Sequence, residues 1–152
     1  MKPTAIALSL LAAAMMAACD GRVYDTYRHT PLSGWEKNDT LYYDTPAVRE
    51  GGIYDMTLGI RTNNSFPFTA VTLIVDVTTL PSRATWADTL DCRLVKAGSS
   101  HRQGGISYYE YTTQVRQAHL AQGDSLHITV RHDMKRDILP GVSDVGIALS
   151  KR

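Results

Sequence analysis

Hydrophobic positions along most of the chain recur with a period of two. Tyr54, Met56, Leu58 and Ile60 alternate with Asp55, Thr57 and Gly59, and Val71, Leu73, Val75 and Val77 alternate with Thr72, Ile74 and Asp76. The same alternation returns at Leu126, Ile128 and Val130 and at Val145, Ile147 and Leu149. A period of two places alternate side chains on opposite faces of a pleated strand, so each run predicts a strand with one buried face. Turn-forming clusters separate the runs: "TPLSG" before Trp35, "EGG" at 50–52, "RTNNSFPF" from Arg61, "TTLPSR" from Thr78, "KAGSSHRQGG" from Lys96 and "AQGD" from Ala121. Weaker runs at 23–27, 41–43, 89–95 and 106–115 complete about eight expected strands. Many short strands joined by tight turns predict an all-β chain folded as a two-sheet antiparallel β-sandwich. Two segments invite a helical alternative, a single turn at Thr85 to Asp88 and a helix over Thr113 to Ala121.

The beginning of the chain breaks this pattern. Lys2 is followed by an apolar run, Ala5 to Ala14, and then by Met16-Ala17-Ala18-Cys19. A positive residue, a short apolar stretch and small residues before a cut make a secretory leader. The run falls short of the roughly 20 apolar residues that span a bilayer. The small-small-Cys ending resembles a bacterial lipobox, with cleavage between Ala18 and Cys19 and lipid attached to Cys19. The expected organisation is therefore a lipoprotein signal peptide at 1–18, a short tether at 19–29 and one sandwich domain at 30–152. If lipid consumes Cys19, Cys92 has no partner for a disulfide, and its alternation with Leu90 and Leu94 makes it a small buried apolar residue.

Charge narrows the partners. Of 16 basic side chains Lys2 alone lies in the leader, so the remainder balances 15 basic against 15 acidic residues. With neither a positive excess nor a Lys/Arg run, no nucleic-acid partner is expected. Membrane contact would come through the N-terminal lipid.

Residues that carry chemistry are sparse and scattered. The five histidines form no His-Glu-x-x-His pair, and no Cys/His cluster or calcium loop occurs. His127 and His132, five apart on a strand, should face opposite ways and read as two solvated side chains. There is no Gly-x-Ser-x-Gly elbow, and the glutamates Glu36, Glu50 and Glu110 lie in separate segments. Asp133 and Asp137 flank Met134-Lys135-Arg136 without further support for a carboxylate pair. No catalytic, metal or cofactor-binding residue is assigned, and a non-enzymatic protein is expected.

Three blocks are more distinctive: "YDTYRHTPLSGWEKNDTLYYD", "YDMTLGIRTNNSFPFTAVTLIVDV" and "HDMKRDILPGVSDVGIALSKR". Through Tyr24, Trp35 with Asp39, Arg61, Phe66-Pro67-Phe68, and Met134, Lys135, Leu139, Gly141, Val142, Asp144, Val145 and Gly146, the chain resembles the GldH-type gliding-motility lipoproteins of Bacteroidetes. The resemblance runs over nearly the whole segment after the leader. It departs after Asp88-Thr89, where the family often carries a tryptophan and this chain reads "LDCRLVKAGSSHRQGG". The resemblance implies a lipid-anchored envelope protein, a component or accessory of the gliding and associated secretion machinery. It also implies envelope protein partners and an outer-membrane site facing the periplasm. Each motif also has a purely structural reading. Asp144 would bond a turn backbone, Gly141 and Gly146 would allow close strand approach, and Phe66-Pro67-Phe68 would plug the core. Arg61 would lie exposed or answer a carboxylate at a sandwich end. The loops at 61–68 and 96–105 are where a partner would touch such a fold. Two other functions fit the sequence: a module capturing glycan or peptide through Tyr108, Tyr109 and Tyr111, and a hydrolase with a dispersed site.

Overall fold

The computed structural model describes residues 21–94, 102–104 and 108–152. The leader, Ala18, Cys19 and most of the 96–105 loop lie outside these residues. Eleven strands form among the described residues: β1 (Arg22–His29), β2 (Trp35–Glu36), β3 (Leu41–Asp44), β4 (Gly52–Thr62), β5 (Ala70–Leu80), β6 (Thr85–Arg93), β7 (Arg102–Gly104), β8 (Tyr109–Leu120), β9 (Ser125–His132), β10 (Ile138–Leu139) and β11 (Val142–Lys151). A five-stranded sheet has the order β1-β11-β4-β8-β7, a four-stranded sheet the order β3-β9-β5-β6, and β2 pairs with β10. Every pairing is antiparallel. The predicted all-β sandwich is the fold observed.

The period-two residues fill the space between the sheets. Met56, Leu58 and Ile60 of β4, Val145, Ile147 and Leu149 of β11, Leu73 and Val75 of β5, and Ile128 and Val130 of β9 are all buried. Each such side chain contributes about 1.5–3 kcal/mol relative to exposure. Tyr43 crosses the core from β3 to β11, its hydroxyl donating to the Val145 carbonyl at 2.6 Å. Cys92 is buried, as its alternation predicts, and burial pushes its thiol up to about 11.

Both suggested helical segments are strands. Thr85 to Asp88 pairs with Thr78 to Val75 as the start of β6. In β8 the register with β4 slips between Gln114 and Arg116, leaving Val115 as an extra residue. This bulge breaks the alternation and so imitates a helical spacing. It also turns Arg116 toward the other sheet, where its Nε meets Asp88 at 3.0 Å and its guanidinium lies 4.1 Å from the centre of the Trp86 ring. Residues 22–29, most of the segment expected to form a tether, are β1, hydrogen-bonded along β11.

The strand directions give the sandwich two ends. At one lies Gly21, two residues after Cys19 in sequence, its carbonyl accepting the Lys151 amide at 2.7 Å. The other is reached after the eight residues of β1, about 26 Å away. The first is called the anchor end below, and the second the distal end.

Candidate functional site

The distal end is closed by the two-residue strands β2 and β10. Trp35 pairs with Leu139 and Glu36 with Ile138. Trp35 and Leu139 are wholly buried, and the Trp35 indole donates to the Asp39 carbonyl at 2.7 Å. The hydroxyl of Thr30 donates to the Val142 carbonyl at 2.6 Å, and Lys37 Nζ to the Met134 carbonyl at 2.9 Å. Gly141 has φ +79°, and a Cβ there would meet the Phe66 backbone nitrogen at 2.2 Å. The glycine therefore supplies both a left-handed turn and the space in which the Phe66 segment is seated.

His132 belongs to this cap and is not solvated, contrary to the sequence expectation. It is 1% exposed and lies edge-on to Trp35 with ring centroids 5.1 Å apart. Its Nδ1 accepts the Met134 N–H at 3.4 Å, so the proton sits on Nε2, which donates to the Trp35 carbonyl at 3.0 Å. Burial pushes its pKa below the ordinary 6.5, and Lys37 acts in the same direction against Asp133. The unfolded chain thus takes up this proton first. The contribution is fully present above about pH 6.5 and is lost as the pH falls below it. Urea midpoints should fall between pH 7 and 5, and His132→Gln should flatten that dependence; an unchanged slope would remove His132 as its source. His127 points the opposite way, as predicted, and its Nδ1 lies 2.6 Å from Asp44.

A row of charges crosses the outer face of the five-stranded sheet at the same end. The register sets His29 opposite Asp144, Asp144 opposite Arg61, and Arg61 opposite Glu110. Arg61 Nε lies 3.3 Å from Glu110 Oε2, and its guanidinium is 3.8 Å from the centre of the Tyr27 ring and 5.6 Å from that of Tyr108. Burial opposes the Arg61 charge, but Glu110, Tyr27 and Asp144 together outweigh it and raise the pKa. Tyr27 donates to Glu110 at 2.6 Å, and burial together with that bond raises the phenol's pKa. Arg61 is thus the carboxylate partner, one of its two predicted roles. Asp144 bonds no turn backbone: it sits within β11, buried, with its Oδ1 facing the Nδ1 of the His29 ring.

Gly146 and Gly59 form the floor beneath the Tyr27 ring. A Cβ on Gly146 would lie 2.7 Å from that ring, and one on Gly59 would lie closer still to its hydroxyl. Gly146→Ala should therefore cost about 1–3 kcal/mol by overpacking. In a double-mutant cycle, Tyr27→Ala should recover most of that loss. Simple additivity would mean the ring is not what the glycine accommodates.

Between the sheets, the distal end opens into a cleft of about 160 Å³ lined by Phe66, Phe68, Leu94, Tyr109 and Tyr111 with Asn63 and Asn64. Tyr109 and Tyr111 share a face as expected, but Tyr111 is buried, so the tyrosines form no exposed stacking platform. Among the described residues, the large apolar side chains exposed in the loops and short strands of this end are Leu32, Tyr108 and Ile138. Leu32 stands at the tip of a turn closed by the Gly34 amide and the Pro31 carbonyl at 3.0 Å. Of the sequence motifs, Trp35, Asp39, Arg61, Phe66, Met134, Leu139, Gly141, Val142 and Asp144 all gather at the distal end. Tyr24 instead packs partly buried against the core. No group of three metal-ligating side chains occurs among the described residues. Tyr27, Glu110, Leu32 and Ile138 were not singled out as a site from the sequence, since only strand register and turn geometry bring them here.

Comparison with known proteins gives one family. The family model described as GldH lipoprotein matches residues 22–149. The gliding motility lipoprotein GldH of Flavobacterium johnsoniae is 27% identical over 159 residues, covering 94% of this chain and 94% of that protein. A GldH homolog of Christiangramia forsetii is 23% identical over 155 residues, covering 90% and 89%. Among solved structures, a family 115 4-O-methyl-α-glucuronidase shares 10% identity at a TM-score of 0.48, and this chain spans only 18% of its length. A family 35 carbohydrate binding module from Clostridium thermocellum shares 14% identity at a TM-score of 0.38, covering 82% of this chain and 87% of the module. Neither likeness carries functional weight.

Proposed function

Since this chain belongs to the GldH lipoprotein family of gliding-motility lipoproteins, we propose that it is a non-enzymatic part of the gliding and associated secretion machinery that works by holding an envelope protein at a membrane surface. The observation that supports this most is the gathering of the family-like motif residues at the end of the sandwich farthest from Gly21. Those residues are mostly buried, and together they hold the Leu32 turn and Ile138 in the open. A rigid platform carrying exposed apolar groups suits a protein partner.

Lipid on Cys19, after cleavage behind Ala18, would confine the domain to two dimensions and raise its local concentration around a membrane partner. A weak distal contact then suffices. We place the protein on the periplasmic side of the outer membrane. The test is crosslinking in cells, followed by affinity purification and mass spectrometry, of the native protein and of Cys19→Ala. Specific envelope proteins should be recovered with the native chain and lost with Cys19→Ala. Recovery of the same proteins from both would show that the anchor is dispensable, and recovery of none would remove the tethering role.

A further inference from the structure

A second cleft, larger than the distal one, lies at the anchor end. It measures about 580 Å³ and is bordered by Gly21, Val23, Pro46, Ala47, Tyr54 and Lys151. That size is typical of small-molecule sites. Its floor includes the buried Val48 and Tyr54. Among charged side chains, this end of the sandwich also exposes apolar ones: Val23 and Ile53 on the five-stranded sheet and Leu80 at the end of β5. Val23 is turned out by a bulge, since the ladder steps from Arg22 opposite Ser150 to Tyr24 opposite Leu149.

Gly21 stands at the border of this cleft. Gly21 is fixed by its bond to Lys151, and a Cβ there would come within 2.6 Å of the Lys151 carbonyl oxygen. Cys19 is two residues upstream, so its Cα lies at most about 7 Å from that of Gly21. A group attached to the Cys19 sulfur is thus within chain reach of the cleft's rim at Gly21. Of the charges here, Arg22 is answered by Asp25, Lys151 by Glu50 and Arg152 by Asp55, while the exposed Arg49 on the cleft's border stands outside these pairs. A border that mixes mostly paired charges with exposed apolar side chains fits the interfacial level of a bilayer, with Arg49, among the described residues, as the one cation of the cleft left to meet a headgroup phosphate, which zwitterionic lipid also carries.

We infer that this cleft seats the chain's own lipid-modified Cys19, so that the domain stands with its anchor end pressed to the bilayer and its distal end held outward. The inference rests on the lipid-anchor reading above. It adds an orientation: the domain does not swing freely, and the Leu32 turn is presented beyond the far end of β1, which lies about 26 Å from Gly21.

The test uses the full lipidated chain in zwitterionic vesicles. A fluorophore is placed on Ala47→Cys beside the cleft or on Leu32→Cys at the distal end, both exposed positions, while buried Cys92 does not compete for the label. Flotation is checked first. In floated protein, nitroxides on the lipid headgroups should quench the Ala47→Cys label several-fold more strongly than the Leu32→Cys label. Inserting ten Gly/Ser residues after Asp20 should leave flotation intact and reduce quenching at Ala47→Cys to the distal level. Equal quenching at both positions in floated protein, or strong Ala47→Cys quenching that survives the insertion, would overturn the seat while leaving the anchor in place. Failure of the lipidated chain to float would overturn the anchor reading itself, and this inference with it.

Discussion

Trp35→Ala should lower stability by about 4 kcal/mol and the melting temperature by about 15 °C, the largest change expected of any single substitution outside the anchor. Trp35 is wholly buried and fixed on every side. Its backbone pairs with Leu139, its indole donates to Asp39, its ring meets His132, and its carbonyl accepts from the same histidine. Truncation leaves a cavity, removes the indole's bond to Asp39, and deprives His132 of the ring it packs on, and these losses reinforce one another because the groups touch. With total stabilities of about 5–15 kcal/mol in domains of this kind, such a loss brings the protein near the folding threshold. Calorimetry and urea unfolding on Trp35→Ala and Trp35→Phe would measure it, the phenylalanine variant retaining most of the volume but not the donor. A drop of only a few degrees in Trp35→Ala would mean that the cap opens independently of the sandwich.

The sandwich was largely legible because its core strands alternate without interruption, and one buried face then dictates register. β4, β5, β9 and β11 appear where the alternation predicts them and extend one to three residues further at most ends, where pairing continues past the last core side chain. What escaped the pattern has identifiable causes. β2 and β10 are two residues each, too short to show any period, and exist because Trp35 and Leu139 are driven into the end of the core together. In β8 a single extra residue at Val115 shifts the phase of everything after it, so the stretch from Thr113 to Ala121 no longer alternated on paper although every residue to Leu120 is extended.

The site was less legible, for a different reason. Arg61, Asp144 and Gly146 could be named from the sequence as distinctive, yet their common location depends on β1, β4, β8 and β11 lying side by side in a particular register. Glu110 and Tyr27 carry no signal by themselves. They acquire a role only because one lies opposite Arg61 and the other over two glycines. His132 shows the same limit in reverse: its five-residue spacing from His127 correctly set the two on opposite faces, but not which face was the inner one.

Leu32→Asp combined with Ile138→Asp should abolish recovery of crosslinked envelope partners while leaving lipidation, membrane fractionation and melting temperature unchanged. Leu32 is fully exposed at the tip of its turn and Ile138 is half exposed on β10, so neither substitution removes much buried area, and surface changes of this kind usually stay within about 0.5 kcal/mol. At an interface the balance is different. Apolar anchors that become desolvated dominate binding, and a carboxylate placed there must lose its hydration without gaining a partner, a cost of several kcal/mol and hence a loss well over tenfold. The lipid cannot restore this contact, because anchoring multiplies an existing affinity and does not create one. Cys19→Ala and the distal double substitution should therefore fail in distinguishable ways, the first released from the membrane fraction and the second retained there without its partners. Crosslinking yields unaffected by both aspartates would move the partner surface away from the Leu32 turn, to the charged row of Arg61, Glu110 and Asp144 on the adjoining sheet.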